Sequence, residues 1–153
     1  MKTIYKAILA RLAPLLEEKT LNWADWDKGQ LKKTGNKERP DVNYPCALIR
    51  IGIPRITANV TDHIQDCAAN ITITLAFDAL GTSRTSAEAS EEVRNQHLEP
   101  YDVIADVYAL LQGHYTGNFS PLRRVSQSEV THDKLFVYQI VFSTEFEDST
   151  ADQ

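Results

Sequence analysis

Two long segments of the chain alternate between apolar and polar residues, one in the middle and one near the end. They span residues 71–77 and 135–146. Successive side chains point to opposite faces of a strand, so this period of two predicts two strands of a sheet with one buried face. The apolar positions are Ile71, Ile73, Leu75 and Phe77 in the first segment and Phe136, Tyr138, Ile140, Phe142 and Phe146 in the second.

Shorter alternating runs predict the remaining strands. We expect one strand at residues 47–53, ended by Pro54, and a short return strand at 56–61. The middle strand then covers residues 63–77, and a further strand at 122–129 leads into a hairpin turn at 131–134. Leu21, Trp23 and Trp26 form either a short strand or an anchored loop.

A period of three to four residues predicts a helix over residues 3–18. We expect this helix to bend or restart at Pro14, because an interior proline removes a backbone hydrogen bond at a cost of about 3 kcal/mol. The residues of its core stripe are Ile4, Ile8, Leu12 and Leu15.

A second helical region lies between residues 85 and 113. Thr85 and Glu88 have capping-box spacing, which predicts that a polar helix starts there. Pro100 opens a more apolar helix, since proline fits a first helical turn, and Gly113 is the expected cap at its end. The core stripe of this helix is Ile104, Val107, Tyr108 and Leu111.

These elements predict an α+β fold, with helices packed on one face of a mostly antiparallel sheet (an α/β sandwich). A length of 153 residues fits a single domain, 1–153. The polar stretch 27–41 contains glycine and proline breakers. We expect this stretch and the polar tail 147–153 to be the flexible parts.

Composition is that of an ordinary globular protein, with 42% hydrophobic and 24% charged residues. No stretch reaches the roughly 20 apolar residues of a membrane helix, so we expect no membrane partner. Lys6 and Arg11 interrupt the first apolar run, which argues against a secretory signal and for synthesis in the cytoplasm.

Charge is distributed unevenly along the chain. Residues 1–55 hold eleven Lys or Arg and six Asp or Glu, whereas residues 56–153 hold five and fifteen. The basic residues crowd the segment 28–39. This segment is an ordinary solvated loop, a nucleic-acid contact, or a surface that docks on the acidic side of a neighbouring copy.

No motif in the sequence indicates an enzyme: nucleophile-elbow, phosphate-loop and zinc-protease patterns are all missing. We expect the four histidines to be surface residues, although Asp62 and Asp66 flank His63. Asp102 and Asp106, one helical turn apart, form an acid–base or metal pair or, as we favour, a solvated helix face. We predict no catalytic residue, no cofactor and no metal site.

The two cysteines, Cys46 and Cys67, fall at or within predicted strands. A free cysteine there behaves as a small apolar residue, and this is the interpretation we favour. A disulfide is less expected in a reducing cytoplasm, and neither cysteine has a second cysteine or histidine at metal-ligand spacing.

Several aromatic and basic residues outside the core stripes are candidate contact residues. Trp23 and Trp26 either pin the basic loop to the core or form exposed anchors, which often dominate interface energetics. Exposed aromatic residues in the loop before the fourth strand would also indicate a contact surface. The predicted contact residues are Trp23, Trp26, Lys32, Lys33, Tyr115, Phe119, Arg123 and Arg124.

Five segments of the chain occur in a recognisable order. They read Ile-Tyr-Lys-Ala-Ile-Leu (4–9), Val-Asn-Tyr-Pro-Cys-Ala-Leu-Ile (42–49), Val-Tyr-Ala-Leu-Leu-Gln-Gly (107–113), Phe-Ser-Pro-Leu-Arg-Arg (119–124) and Val-Tyr-Gln-Ile-Val-Phe (137–142). In this order and spacing they resemble the tail terminator, or tail completion, proteins of long-tailed bacteriophages and prophages. The long stretch between Trp26 and Pro40 departs from the compact members of that family.

The resemblance implies a small protein that forms a six-membered ring. Such a ring caps the tail tube, meets a head completion protein on its other side, and lets DNA pass through its hole. It also implies a place in the virion, after assembly in the host bacterial cytoplasm.

Three hypotheses of function follow. The first is a structural assembly protein of this kind. The second is a nucleic-acid-binding module that uses segment 28–39, with Trp23 and Trp26 as stacking platforms. The third is a small enzyme with a site near His63 or the Asp102–Asp106 pair.

Overall fold

The computed structural model describes residues 1–32, 42–79 and 84–152 of the chain. The described residues contain three α-helices and five strands. In chain order these are α1 (Lys2–Glu17), β1 (Trp23–Trp26), β2 (Cys46–Asn59), β3 (Gln65–Phe77), α2 (Glu91–His97), α3 (Glu99–Leu111), β4 (Arg123–Val130) and β5 (Phe136–Asp148).

The strands form one sheet with the order β1-β2-β3-β5-β4. The short strand β1 runs parallel to β2, and all other neighbouring strands are antiparallel. This arrangement confirms the predicted α+β fold with a mostly antiparallel sheet. It also decides between the two alternatives for residues 21–26, because Trp23–Trp26 is a strand.

One face of the sheet packs against the helices and forms the main core. Ile49, Ile73 and Ile140 lie side by side across β2, β3 and β5, and all three are fully buried. Burying such a side chain stabilises the fold by about 1.5–3 kcal/mol. The helices contribute the predicted residues Ile4, Ile8, Leu12 and Leu15 of α1 and Ile104, Val107 and Leu111 of α3. Val103 is buried as well, whereas Tyr108, predicted for the stripe of α3, is only partly buried.

Helix α1 continues through Pro14, so the expected restart at this residue is wrong. The helix runs unbroken to Glu17, and the carbonyl of Pro14 accepts a hydrogen bond from the amide of Glu18 at 3.0 Å. Leu12 and Leu15, on either side of the proline, are both buried in the main core. We attribute the continuity of the helix to this packing, which offsets the hydrogen bond that proline cannot make.

Strand β2 also continues through a proline, which corrects the prediction that Pro54 ends it. The pairing with β3 shifts register between Gly52 and Arg55, so Pro54 lies in an irregular stretch where a missing amide is tolerated. On its other side β2 pairs with β1 only from Cys46 to Ile49. The two strands predicted at 47–53 and 56–61 are therefore one long strand.

Helix α2 begins later than predicted. The side chain of Ser90, not Thr85, caps it by accepting a hydrogen bond from the amide of Val93 at 3.3 Å. Helix α3 has Pro100 in its first turn, as predicted. Gly113 follows α3 with a φ of +74°, a left-handed conformation that glycine adopts without steric cost.

A smaller apolar cluster lies on the other face of the sheet. Part of the stretch predicted to be flexible belongs to it, because residues 30–32 form a 3₁₀ turn that buries Leu31. Residues 33–41 of that stretch lie outside the described residues. At the other end, β5 extends to Asp148, so the first two residues of the predicted tail are strand. The buried members of the smaller cluster are Leu31, Cys46, Leu48, Ala76, Leu135 and Val137.

Replacing Ile73 should be costly because the side chain is fully buried at the centre of the main core. We expect Ile73→Ala to lower the free energy of unfolding by about 2–5 kcal/mol in urea denaturation. Thr72→Ala, one residue away on the opposite face, should cost less than about 1 kcal/mol. Equal effects of the two changes would contradict the assignment of faces.

Candidate contact surfaces

The two tryptophans of β1 lie on opposite faces of the sheet. Trp23 is paired with Cys46 and packs, partly buried, on the smaller apolar cluster. Its indole nitrogen is buried and has no hydrogen-bond partner among the described residues. Trp26 is paired with Ile49 on the helix side and is 59% exposed. The two interpretations made for the pair therefore apply one to each: Trp23 is an anchor and Trp26 is a surface residue.

An apolar groove of about 460 Å³ lies beside Trp26, between the start of α1 and the edge of β2. We call it the Trp26 groove. Met1, like Trp26, is 59% exposed there. Three of the lining residues, Lys2, Asp25 and Lys28, are charged, and the others are aliphatic or aromatic. The lining residues are Met1, Lys2, Tyr5, Asp25, Trp26, Lys28, Ile49 and Ile51.

Asp25, the one carboxylate among the lining residues of the groove, interacts with residues close to it in the sequence. Asp25 lies 3.5 Å from the ammonium of Lys28, and it also accepts hydrogen bonds from the amide of Trp26 and the side chain of Gln30. Burial and the nearby Asp25 raise the pKa of the Tyr5 hydroxyl above its ordinary value. The groove thus combines an apolar floor with two lysines, one of them shared with Asp25.

The two arginines of β4 have different surroundings. The guanidinium of Arg124 lies 3.9 Å above the ring of Tyr108 and donates a hydrogen bond to Gln127 at 2.9 Å. This cation–π contact fastens β4 to α3. Arg123 is exposed and lines a depression of about 420 Å³ together with Arg55 and Glu145. Both arginines are exposed, so the prediction that Arg123 and Arg124 contact a partner stays a prediction for each.

The loop before β4 exposes one aromatic residue and buries the other. Tyr115 is 65% exposed, as expected for a contact residue. Phe119 is only 5% exposed and belongs to the main core, which corrects its predicted place on the surface. The amide of Ser120 donates to the carbonyl of Glu145 at 2.9 Å, and this bond holds the loop against β5. The loop thereby brings Phe119 inside.

The basic segment is only partly within the described residues. Lys28, just before the 3₁₀ turn, and Lys32, its last residue, are both exposed. Lys33 lies outside the described residues, as do the remaining basic residues of segment 28–39. The prediction that this segment is a contact surface stays a prediction.

An acidic depression of about 590 Å³ lies between the end of α1 and the start of α3. Asp102 and Asp106 line it together with His97 and Lys19. Both aspartates are exposed, in agreement with a solvated helix face. Sequence reasoning found this pair but not the depression, because part of its lining, such as Lys19 and Tyr44, is distant from the pair in the sequence. Among the residues described, no group of three or more His, Cys, Asp or Glu could hold a metal ion.

The four histidines are not all surface residues. His63 is exposed in the turn between β2 and β3. His132, with a side chain only 14% exposed, organises the hairpin before β5: one ring nitrogen lies 2.9 Å from the carbonyl of Leu31, and the other accepts from the amides of Lys134 and Leu135. The pKa of His114 is lowered, mainly because its imidazole is partly buried and to a smaller extent because of the positive charge of Arg11.

Comparison with known proteins relates the fold to a virion component. No family model and no curated protein matches the sequence. Among solved structures, the chain is similar to one described as "Virion of native gene transfer agent (GTA) particle". The TM-score is 0.55 at 13% sequence identity, and the similarity covers 94% of each chain. At this identity the likeness shows a shared fold. In the described part of the chain, no helix has the length and apolar character needed to cross a membrane.

Trp23 and Trp26 should respond differently to truncation. We expect Trp23→Ala to lower the free energy of unfolding by about 2 kcal/mol or more, since it removes packing from the smaller cluster. Trp26→Ala should change it by less than about 1 kcal/mol. Trp23→Phe retains most of the packing and removes the unpaired indole N–H, so it should cost less than Trp23→Ala. Urea denaturation of the three variants checks this order, and a larger loss for Trp26→Ala would contradict it.

The thiols should be inert in the folded protein. Both cysteines are free and buried, as predicted, and burial raises the pKa of Cys46 to about 12. The thiolate is the reactive form, so alkylation at pH 8 should be slow in buffer and fast in denaturing urea. Rapid labelling of two thiols in the native state would contradict the buried placement.

Proposed function

We propose that this protein is a structural virion-assembly protein, a ring-forming tail terminator that caps the tail tube and joins it to the head–neck complex. The observation that carries the proposal is the fold, which over 94% of both chains is similar to a chain from a virion particle. The order of segments that resembles tail terminators supports it independently of that comparison. The role we propose is non-enzymatic.

The sheet edges support a closed assembly. An exposed edge strand can pair with another chain without limit, and natural proteins block this with charges, prolines and bulges. Strand β4 carries Arg123, Arg124 and Glu129 and has a register shift. On the other side the edge strand β1 has only four residues, and the part of β2 that β1 leaves uncovered contains Pro54 and two register shifts in its pairing with β3. Both edges therefore disfavour open-ended pairing of strands, which leaves side-chain surfaces to make the contacts between copies.

The proposed partners follow from this role. They are further copies of the chain, most simply six in a ring, the tail tube protein on one side and a head completion protein on the other. DNA passes through the hole of the ring. The protein is then located in the virion, after assembly in the host bacterial cytoplasm. The exposed residues Trp26, Lys32, Tyr115 and Arg123 are the contact residues that we propose for these interactions.

Capping of tail tubes tests the proposal. Purified tail tubes that lack their terminator should bind the chain at one end only, and bound tubes should stop growing when tube protein is added. Electron microscopy gives the position of the chain and the distribution of tube lengths. An unrelated acidic protein of similar size is the control. Tubes that grow equally with and without the chain would contradict the proposal.

Direct DNA binding is the competing outcome. Its proposed stacking pair is weakened by the structure, since Trp23 is an anchor and only Trp26 is exposed. If DNA binding were the main function, affinity would fall steeply with salt, and Lys32→Glu with Lys33→Glu would abolish it. We expect filter binding to show only weak association that these two changes barely alter.

A further inference from the structure

The Trp26 groove and the exposed side of α3 lie towards opposite edges of the sheet. Trp26 belongs to β1, the first strand in the sheet order, whereas β5 and β4 are the last two. Helix α3 lies over these last strands, because the ring of Tyr101 is 5.8 Å from that of Phe136 and Arg124 stacks on Tyr108. The two surfaces therefore belong to different sides of one molecule.

The apolar and basic lining of the Trp26 groove is suited to bind a surface that is aromatic and acidic. Trp26 and Met1 leave more than half of their area in water above an apolar floor that includes Ile51. Lys2 supplies positive charge at the groove, and Lys28 adds less, because its ammonium lies 3.5 Å from the carboxylate of Asp25. Exposed tryptophan beside an apolar hollow costs solvation free energy unless a partner covers it, and tryptophan is among the residues that contribute most to interfaces.

The exposed side of α3 has the complementary chemistry. We call it the α3 face: Tyr101, Asp102, Ala105, Asp106 and Ala109, all exposed. The ring centre of Tyr101 lies 5.8 Å from that of Phe136, and 54% of the area of Tyr101 remains in water. The two alanines allow a close approach of the helix to a partner surface. The two aspartates carry negative charge, which is opposite in sign to the charge of the groove lysines.

We propose that the Trp26 groove of one copy receives the α3 face of a second copy, with Tyr101 against Trp26 and Asp102 or Asp106 near Lys2 and Lys28. The occupant is a second copy because the same chain carries both halves of a charge-complementary, apolar-centred contact. A contact between two different surfaces is heterologous, so each subunit retains one free surface of each kind until a ring closes. This inference names the self-contact of the proposed ring and rests on that proposal for the closure.

Two variants that each break one half of the contact test it. Trp26→Glu removes the aromatic residue and places a carboxylate in the groove, and Tyr101→Glu removes the ring from the α3 face. Each variant alone should self-associate roughly tenfold or more weakly than the natural chain in sedimentation equilibrium. Val60→Glu, at a 52% exposed position in the β2–β3 turn, is the matched control and should associate normally.

Mixing the two variants distinguishes a heterologous contact from other kinds. The Tyr101→Glu chain keeps an intact groove and the Trp26→Glu chain keeps an intact α3 face, so an equimolar mixture should form 1:1 dimers and nothing larger. A mixture that stays monomeric would overturn the proposal, as would a Trp26→Glu chain that associates normally. A natural chain that remains monomeric at about 1 mM protein would also overturn it.

The outcome is separable from that of the tube-capping experiment. If the Trp26→Glu chain caps tubes as well as the natural chain does, the result supports the terminator function and contradicts the proposed contact between copies. If the mixed variants form dimers but the natural chain fails to cap tubes, the result supports the contact between copies and contradicts the terminator function.

Discussion

The packing of two helices against a single face of the sheet is the interaction on which the rest of the structure depends. Ile8 of α1 and Val107 of α3 are fully buried against the row formed by Ile49, Ile73 and Ile140. In the described part of the chain α1 and α3 cover this face, so the sheet edges, the outer sides of these helices and the rest of the other face are left for contacts. The smaller cluster on the other face fixes β1 through Trp23, and that placement sets Trp26 at the surface.

Much of the fold could be predicted from periodicity, because burial on one face imposes a period of two on strands and of nearly four on helices. The β3 and β5 stripes and the core residues of α1 and α3 were all visible in this way. The errors concern residues whose local preference is overruled by their surroundings, which are core packing for Pro14 and Phe119 and an irregular, exposed stretch of the sheet for Pro54. Pro14 and Pro54 stay within their elements, and Phe119 turns inward from a loop that composition alone marks as exposed.

The candidate site was less accessible to prediction, because it is assembled from segments far apart in the sequence. The Trp26 groove joins the first five residues of the chain to residues 25–28 and 49–51. No local pattern links these three segments. The uneven charge along the chain predicted a basic surface at segment 28–39, and of the groove lysines only Lys28 belongs to that segment.

A protein that acts through contacts with its partners needs few reactive groups, but its contact surfaces must be held in fixed positions. Here the blocked strand edges, the anchored Trp23 and the exposed Trp26 are consistent with contacts that form in limited number and fixed orientation. In this account the core holds the outer surfaces at a set distance and angle, and those surfaces give the protein its function.

The most direct test is a cryo-electron microscopy reconstruction of tails assembled in the presence of this chain. The account predicts a single closed ring of the chain at one end of the tube, in which the Trp26 groove of each copy faces α3 of the next. Density for the chain along the length of the tube, or its absence from both ends, would contradict the account.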